Sequence, residues 1–189
     1  MTKKLLVAGA ALALISSCTM KNPLLTESTA PFGAPEFDKI EDAHYLPAFE
    51  AAIAEAKAEI DAIIANPDEP TFENTIEAME YAGETLDRVA GIFYNLMEAN
   101  TNDTMQETAE KISPMLTEYS MYVSLNNDLF QRVKAVYEKK DELGLAQDQM
   151  KILDENYKSF VRGGANLSDE DKPFKLDRPV SSRSSERRR

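Results

Sequence analysis

Residues 42–70, DAHYLPAFEAAIAEAKAEIDAIIANPDEP, decide the fold. Leu46, Phe49, Ile53, Ala56, Ile60 and Ile63 recur every three or four residues, which is one apolar stripe along a helix. The spacing predicts a helix over about 42–66, with Asp42 as its N-cap. Pro47 falls in the first turns, where proline costs least, or delays the true start. Asn66-Pro67-Asp68-Glu69-Pro70 ends it. The Glu55, Lys57 and Glu59 side of the helix reads as a solvated face.

The same pattern continues downstream. Thr71 caps a second helix of about 72–99, with Ile76, Met79, Gly83, Leu86, Ala90, Phe93 and Leu96/Met97 facing inward. Gly83 and Gly91 cost helix propensity there and imply close helix–helix approach. After the polar turn Asn100–Asp103, a third helix of about 104–123 buries Met105, Ala109, Ile112, Leu116, Tyr119 and Val123, and Pro114 should kink it. Asn126-Asn127 opens a fourth of about 127–142, through Leu129, Val133, Val136 and Tyr137, which Gly144 stops. A fifth, about 147–162, carries Met150, Leu153, Tyr157 and Phe160/Val161 and ends at Gly163-Gly164. Ser168 followed by Asp171 has capping-box spacing and opens a sixth helix that is not completed. No stretch shows strand alternation. The expected fold is all-α, an antiparallel bundle of about five to six helices.

Composition fits this architecture. The 189 residues carry a formal net charge of -12, contain no Trp, and are 43% hydrophobic and 29% charged. That balance suits one domain with a real core. The acid excess argues against nucleic acid as a partner, which wants a basic face. The basic cluster is confined to Arg183 and Arg187–Arg189 at the C-terminus.

Both ends differ from the middle. Lys3 and Lys4 precede an apolar run from Leu5 to Ile15, the layout of a signal peptide and too short to count as a membrane span. Ile15-Ser16-Ser17-Cys18 is similar to the lipobox of bacterial lipoproteins, in which the Cys becomes the first mature residue and carries diacylglycerol on its sulfur. Cys18 is thus the expected lipidation site, and the chain is expected in the cell envelope, lipid-anchored on the periplasmic or outer side of a bacterial membrane. Segments follow as 1–17 leader, 18–37 tether and lead-in, 38–172 helical domain, and 173–189 tail. The tail has four Ser, five Arg and no apolar periodicity, and reads as disordered.

Chemistry is sparse. His44 and Cys18 are the single His and the single Cys, so neither a His-based zinc site nor an HExxH helix can be written. A Ser-His-Asp triad would have to use His44, which sits in the first turn of a predicted helix and reads as a surface or capping residue. There is no glycine-rich phosphate loop. With 33 acids, any chosen carboxylate pair is uninformative. No catalytic and no metal-binding residue is assigned.

Several motifs in fixed order go further. They are Asn22-Pro23-Leu24-Leu25, Pro35-x-Phe37-Asp38-Lys39-Ile40, His44 to Phe49 (HYLPAF) and Pro70 to Ile76 (PTFENTI). Next come Val89 to Asp103 (VAGIFYNLMEANTND), Ile112 to Ser120 (ISPMLTEYS), Leu125 to Leu145 and Phe160 to Lys172. Together they resemble the opening of the peptidyl-dipeptidase and oligopeptidase A family of zinc metallopeptidases, the thimet-oligopeptidase-like enzymes, across about residues 22–172. The resemblance implies the wall of a deep channel that admits short peptides. It also implies a catalytic zinc in a later domain, bound by the two His of HExxH and a downstream Glu. None of those residues has a counterpart here, so the chain by itself is expected to lack catalysis and to hold no cofactor. From Pro173 the pattern is lost, which reads as a frameshift or truncated gene, with a genuine short paralogue as the alternative. Three roles follow: the front of a lipid-anchored peptidyl-dipeptidase, a half-enzyme whose catalytic half is another chain, or a stand-alone helical lipoprotein that binds peptides or a protein partner.

Overall fold

The computed structural model describes residues 22–165. The leader, Cys18, the capping box at Ser168 and the 173–189 tail lie outside them. Among the described residues every regular element is helical. They are α1 (Asp42–Ala65), α2 (Ala78–Tyr81), α3 (Glu84–Asn100), α4 (Asp103–Ser124), α5 (Asn127–Glu138) and α6 (Gln147–Gly163). Three short 3-10 turns precede α1, and a π turn, Phe72–Glu77, leads into α2.

Helix α1 is the axis of the molecule. Tyr45 and Phe49 meet Phe93 of α3 edge-on, with ring centroids 4.9 and 5.5 Å apart. The other end of α3 begins beside Ala56, so α1 and α3 are antiparallel. Helix α4 runs parallel to α1. Asn102 Nδ2 donates to Asp42 Oδ2 at 2.9 Å, Lys57 pairs with Glu118 at 3.0 Å, and Tyr122 donates to Asp61. These pairs keep a near-constant offset along the two helices, as alternate members of an up-and-down succession do. Helices α5 and α6 form an antiparallel pair in which Tyr137 stacks on Tyr157 at 3.9 Å and Phe130 meets Phe160 at 6.0 Å.

The α1 stripe divides between two cores. Tyr45, Phe49, Ile53 and Ala56 pack with Leu86, Val89, Phe93, Met105 and Ile112. Ile60 and Ile63 pack with Phe72, Ile76, Leu129, Val133, Val136, Leu153 and Phe160. Each fully buried Leu, Ile or Phe contributes about 1.5–3 kcal/mol relative to its exposed state.

Several sequence expectations change. Glu41, not Asp42, is the N-cap of α1, and Asp42 is its first helical residue. Pro47 lies in the second turn, exposed, and the helix starts ahead of it. The long second helix is three pieces. A π turn and α2 stop at Ala82, whose ψ of 126° leaves the helical region, and Gly83 restarts the chain at φ +91° as the N-cap of α3. Close approach is therefore not what Gly83 or Gly91 provides. A Cβ at Gly83 would make only ordinary contacts at 3.5 and 3.7 Å, and one at Gly91 would meet nothing within 4 Å. Helix α5 ends at Glu138, before the expected 142, and turns carry the chain to Gly144 at φ +62°. Pro114 sits inside α4, which is helical throughout Asp103–Ser124.

The lead-in, aperiodic in sequence, is seated on the first core. Leu24 is 1% exposed. Asn22 Nδ2 donates to the His44 carbonyl at 2.8 Å, and Arg88 Nη2 reaches the Leu24 carbonyl at 3.4 Å.

Candidate functional surface

His44 is a cap. Its Nδ1 accepts the Glu41 N–H at 2.9 Å, and its own backbone N–H donates to the Glu41 carbonyl at 2.9 Å. That satisfies N–H groups the first turn leaves open and occupies the ring nitrogen a general base would need. Cys18 lies outside the described residues. Among those described, no three His, Cys, Asp or Glu side chains gather closely enough to hold a metal ion, and no helix is long and apolar enough to cross a membrane.

Ionisable side chains work in pairs across elements. The Lys139 ammonium holds the Glu69 carboxyl below its ordinary range, and hydrogen bonds from Lys158 and then Lys140 do the same for Asp154. The hydrogen bond to Asp61, aided by burial, pushes the Tyr122 phenol up to about 12. Burial raises Tyr119, and the nearby Asp87 and Glu59 charges add to it. The Glu59 carboxylate accepts the Gly83 N–H at 2.7 Å, a charge-assisted bond placed at the positive end of the α3 dipole.

Arg132 is the most consequential charged residue that sequence reading missed. It lies on the buried face of α5, 8% exposed. Nη1 donates to the carbonyls of Asn66 at 2.8 Å and Asp68 at 3.4 Å, and Nη2 donates to Asn74 Oδ1 at 3.2 Å. Asn74 also accepts the Thr71 N–H at 2.8 Å and donates to the Glu69 carbonyl at 3.0 Å. The guanidinium thus organises the whole Asn66–Thr75 connection and sits at the negative end of α1. Its signal in the sequence is a charge at helical spacing among Leu129, Val133 and Val136.

Where the two cores meet, α1, α2, α4 and α6 leave a cleft of about 320 Å³. Ile60, Met79, Ala82, Val123 and Phe160 form its apolar surface. Tyr119, Ser120, Ser124, Asn156 and Ser159 add hydroxyl and amide groups. No lining residue carries a formal charge. Such a surface can bind by shape and hydrogen bonds.

Comparison with known proteins identifies the family of this helical region. The family model described as neurolysin/thimet oligopeptidase, N-terminal domain, matches residues 49–172. The chain is 42% identical over 154 residues to a dipeptidyl carboxypeptidase of Escherichia coli, covering 82% of this chain and 23% of that protein. It is 41% identical over 151 residues to the dipeptidyl carboxypeptidase of Salmonella typhimurium, covering 80% of this chain and 22% of the relative. Oligopeptidase A of Salmonella typhimurium is 26% identical over 151 residues. The chain spans less than a quarter of the length of these curated relatives.

Proposed function

The chain belongs to the family of neurolysin/thimet oligopeptidase N-terminal domains, and on that premise we propose that it is the helical channel wall of a lipid-anchored peptidase of the peptidyl-dipeptidase type. The supporting observation is the gradient of identity. Over nearly the same stretch the chain is 42% identical to a dipeptidyl carboxypeptidase and 26% to an oligopeptidase A. Short peptides are the substrate class this reading assigns to the whole enzyme. The anchor is the thioether-linked lipid on Cys18, and the place is the bacterial cell envelope.

The wall contributes binding and exclusion, not bond cleavage. Zinc supplies water activation in enzymes of this type, but the described residues offer no ligand set that fits it. The metal and the general base belong to a further region, on the same polypeptide or on a second chain. The buried clamp at Arg132 and the two aromatic cores keep the wall rigid, as a surface that orients substrate must be.

The DNA beyond codon 172 tests this directly. The expected result is a coding region for HExxH and a downstream Glu, in any frame or in a neighbouring gene. Its absence from the genome would instead favour a stand-alone lipoprotein that binds peptides through the uncharged cleft.

A further inference from the structure

The lead-in before α1 displays apolar surface that the fold does not use. Among the described residues, six large hydrophobic side chains are more than a third exposed, and three of them, Leu25, Phe32 and Phe37, fall within this one segment. Phe32 is extreme. Its exposure is 107%, and its φ of +61° lies in the left-handed region that side chains other than Gly, Asn and Asp rarely adopt. The turn that holds it is closed. Ser28 Oγ donates to the Ala34 carbonyl at 2.6 Å, and the Gly33 N–H donates to the Ala30 carbonyl at 3.0 Å. A fixed turn thus presents an aromatic ring to the outside and gives it no packing in return.

We propose that the Ser28–Ala34 turn is a membrane-contact element, with Phe32 seated at the headgroup–acyl boundary of the bilayer that holds Cys18. The inference rests on the lipid-anchor reading above. Three residues lie between Cys18 and Asn22, and the four Cα steps reach at most about 14 Å. The first described residues are thus confined to the neighbourhood of the bilayer surface. Pro23, Leu24 and Glu27 share a cavity of about 120 Å³ with Gly33 and Pro35, so the Phe32 turn lies against this anchor-proximal strip. Aromatic side chains favour the depth proposed. Charge selects the lipid. Between Cys18 and α1, Glu27, Glu36, Asp38 and Glu41 outnumber Lys21 and Lys39, and Lys39 is already paired with Glu36 at 2.6 Å. The matching surface is zwitterionic phospholipid, since an anionic one repels this segment.

The test uses the full chain with its leader, made in a bacterium that processes lipoproteins. The protein has no Trp, so Phe32→Trp introduces a single fluorescent reporter. Mass spectrometry of the purified protein reads the acyl mass on Cys18. The protein is then placed in phosphatidylcholine vesicles with or without bromine on the acyl chains. The expected result is a blue shift of the Phe32→Trp emission in vesicles and its loss in brominated ones. A Tyr81→Trp control, 67% exposed in α2, keeps its emission. An acylated protein whose reporter stays water-like and unquenched overturns the membrane contact and leaves the anchor intact. A blue shift without bromine quenching means that protein covers the ring, another chain or a second copy, and also overturns it. Absence of the acyl mass defeats the anchor reading, and this inference with it.

Discussion

Arg132 shows how one side chain sets a connection that sequence patterning reads only as a helix stop. Its guanidinium is buried and meets only neutral oxygens, those of Asn66, Asp68 and Asn74, and the buried Nε has no hydrogen-bond partner. Arg132→Met comes near the volume and removes the donors to these part-buried oxygens, charge-assisted bonds worth about 1.5–3 kcal/mol each. We expect a loss of roughly 2–4 kcal/mol in chemical denaturation, with Arg132→Lys intermediate because an ammonium cannot reproduce the fork. The Tyr122–Asp61 bond gives a second prediction. An unfolded tyrosine ionises near about 10, whereas the folded Tyr122 ionises near about 12. Its contribution to stability is complete below pH 10 and is lost as pH rises toward 12, because the unfolded state releases the proton first. Tyr122→Phe should remove the highest-pH step from a spectrophotometric tyrosine titration and flatten stability across that window. His44 was legible at this scale as a capping residue. Arg132 and Glu59 were not, because their partners are 58–66 and 24 residues away.

At the scale of elements, apolar spacing located the helices because burial chooses the face. Phe49, Ile53, Ala56, Ile60 and Ile63 of the α1 stripe are all buried. Local side-chain chemistry marks three of the N-termini. Thr71 Oγ1 accepts the Asn74 N–H, Asn102 Oδ1 the Met105 N–H and Asn126 Oδ1 the Leu129 N–H. The break between α2 and α3 escaped notice because the apolar period runs through it, from Ile76 and Met79 to Leu86. What interrupts it is backbone conformation at Ala82 and Gly83, held from a distance by Glu59. The two helix-region glycines therefore carry opposite predictions. Gly83→Ala forces a Cβ into φ +91° and should destabilise by about 1–2 kcal/mol. Gly91→Ala meets open space inside α3 and should stabilise by about 0.5–1 kcal/mol. Urea midpoints of the two variants, moving in opposite directions, check both.

For the whole molecule, the division of α1 between two cores is the organising fact. A helix shared by both cores makes them one cooperative unit. Phe49→Ala in the first core should cost about 3–5 kcal/mol and Leu129→Ala in the second about 2–5 kcal/mol. Each should lower a single transition that far-UV and tyrosine signals report together. Two separated transitions would show that the cores fold independently. Apolar helical spacing made the fold class legible in the sequence, and the order of family motifs along residues 22–172 made the kinship legible. The cleft was not, because it is formed by residues from four helices that share no local spacing. We propose that this chain is the wall of a peptidase of the peptidyl-dipeptidase type, and one exchange tests it. Residues 22–172 replace the matching N-terminal stretch of the Escherichia coli dipeptidyl carboxypeptidase, and release of dipeptides from the C-terminus of short peptides is measured. The account predicts an active chimera with dipeptide products. A chimera that melts cooperatively as a helical protein yet releases no dipeptide would contradict it.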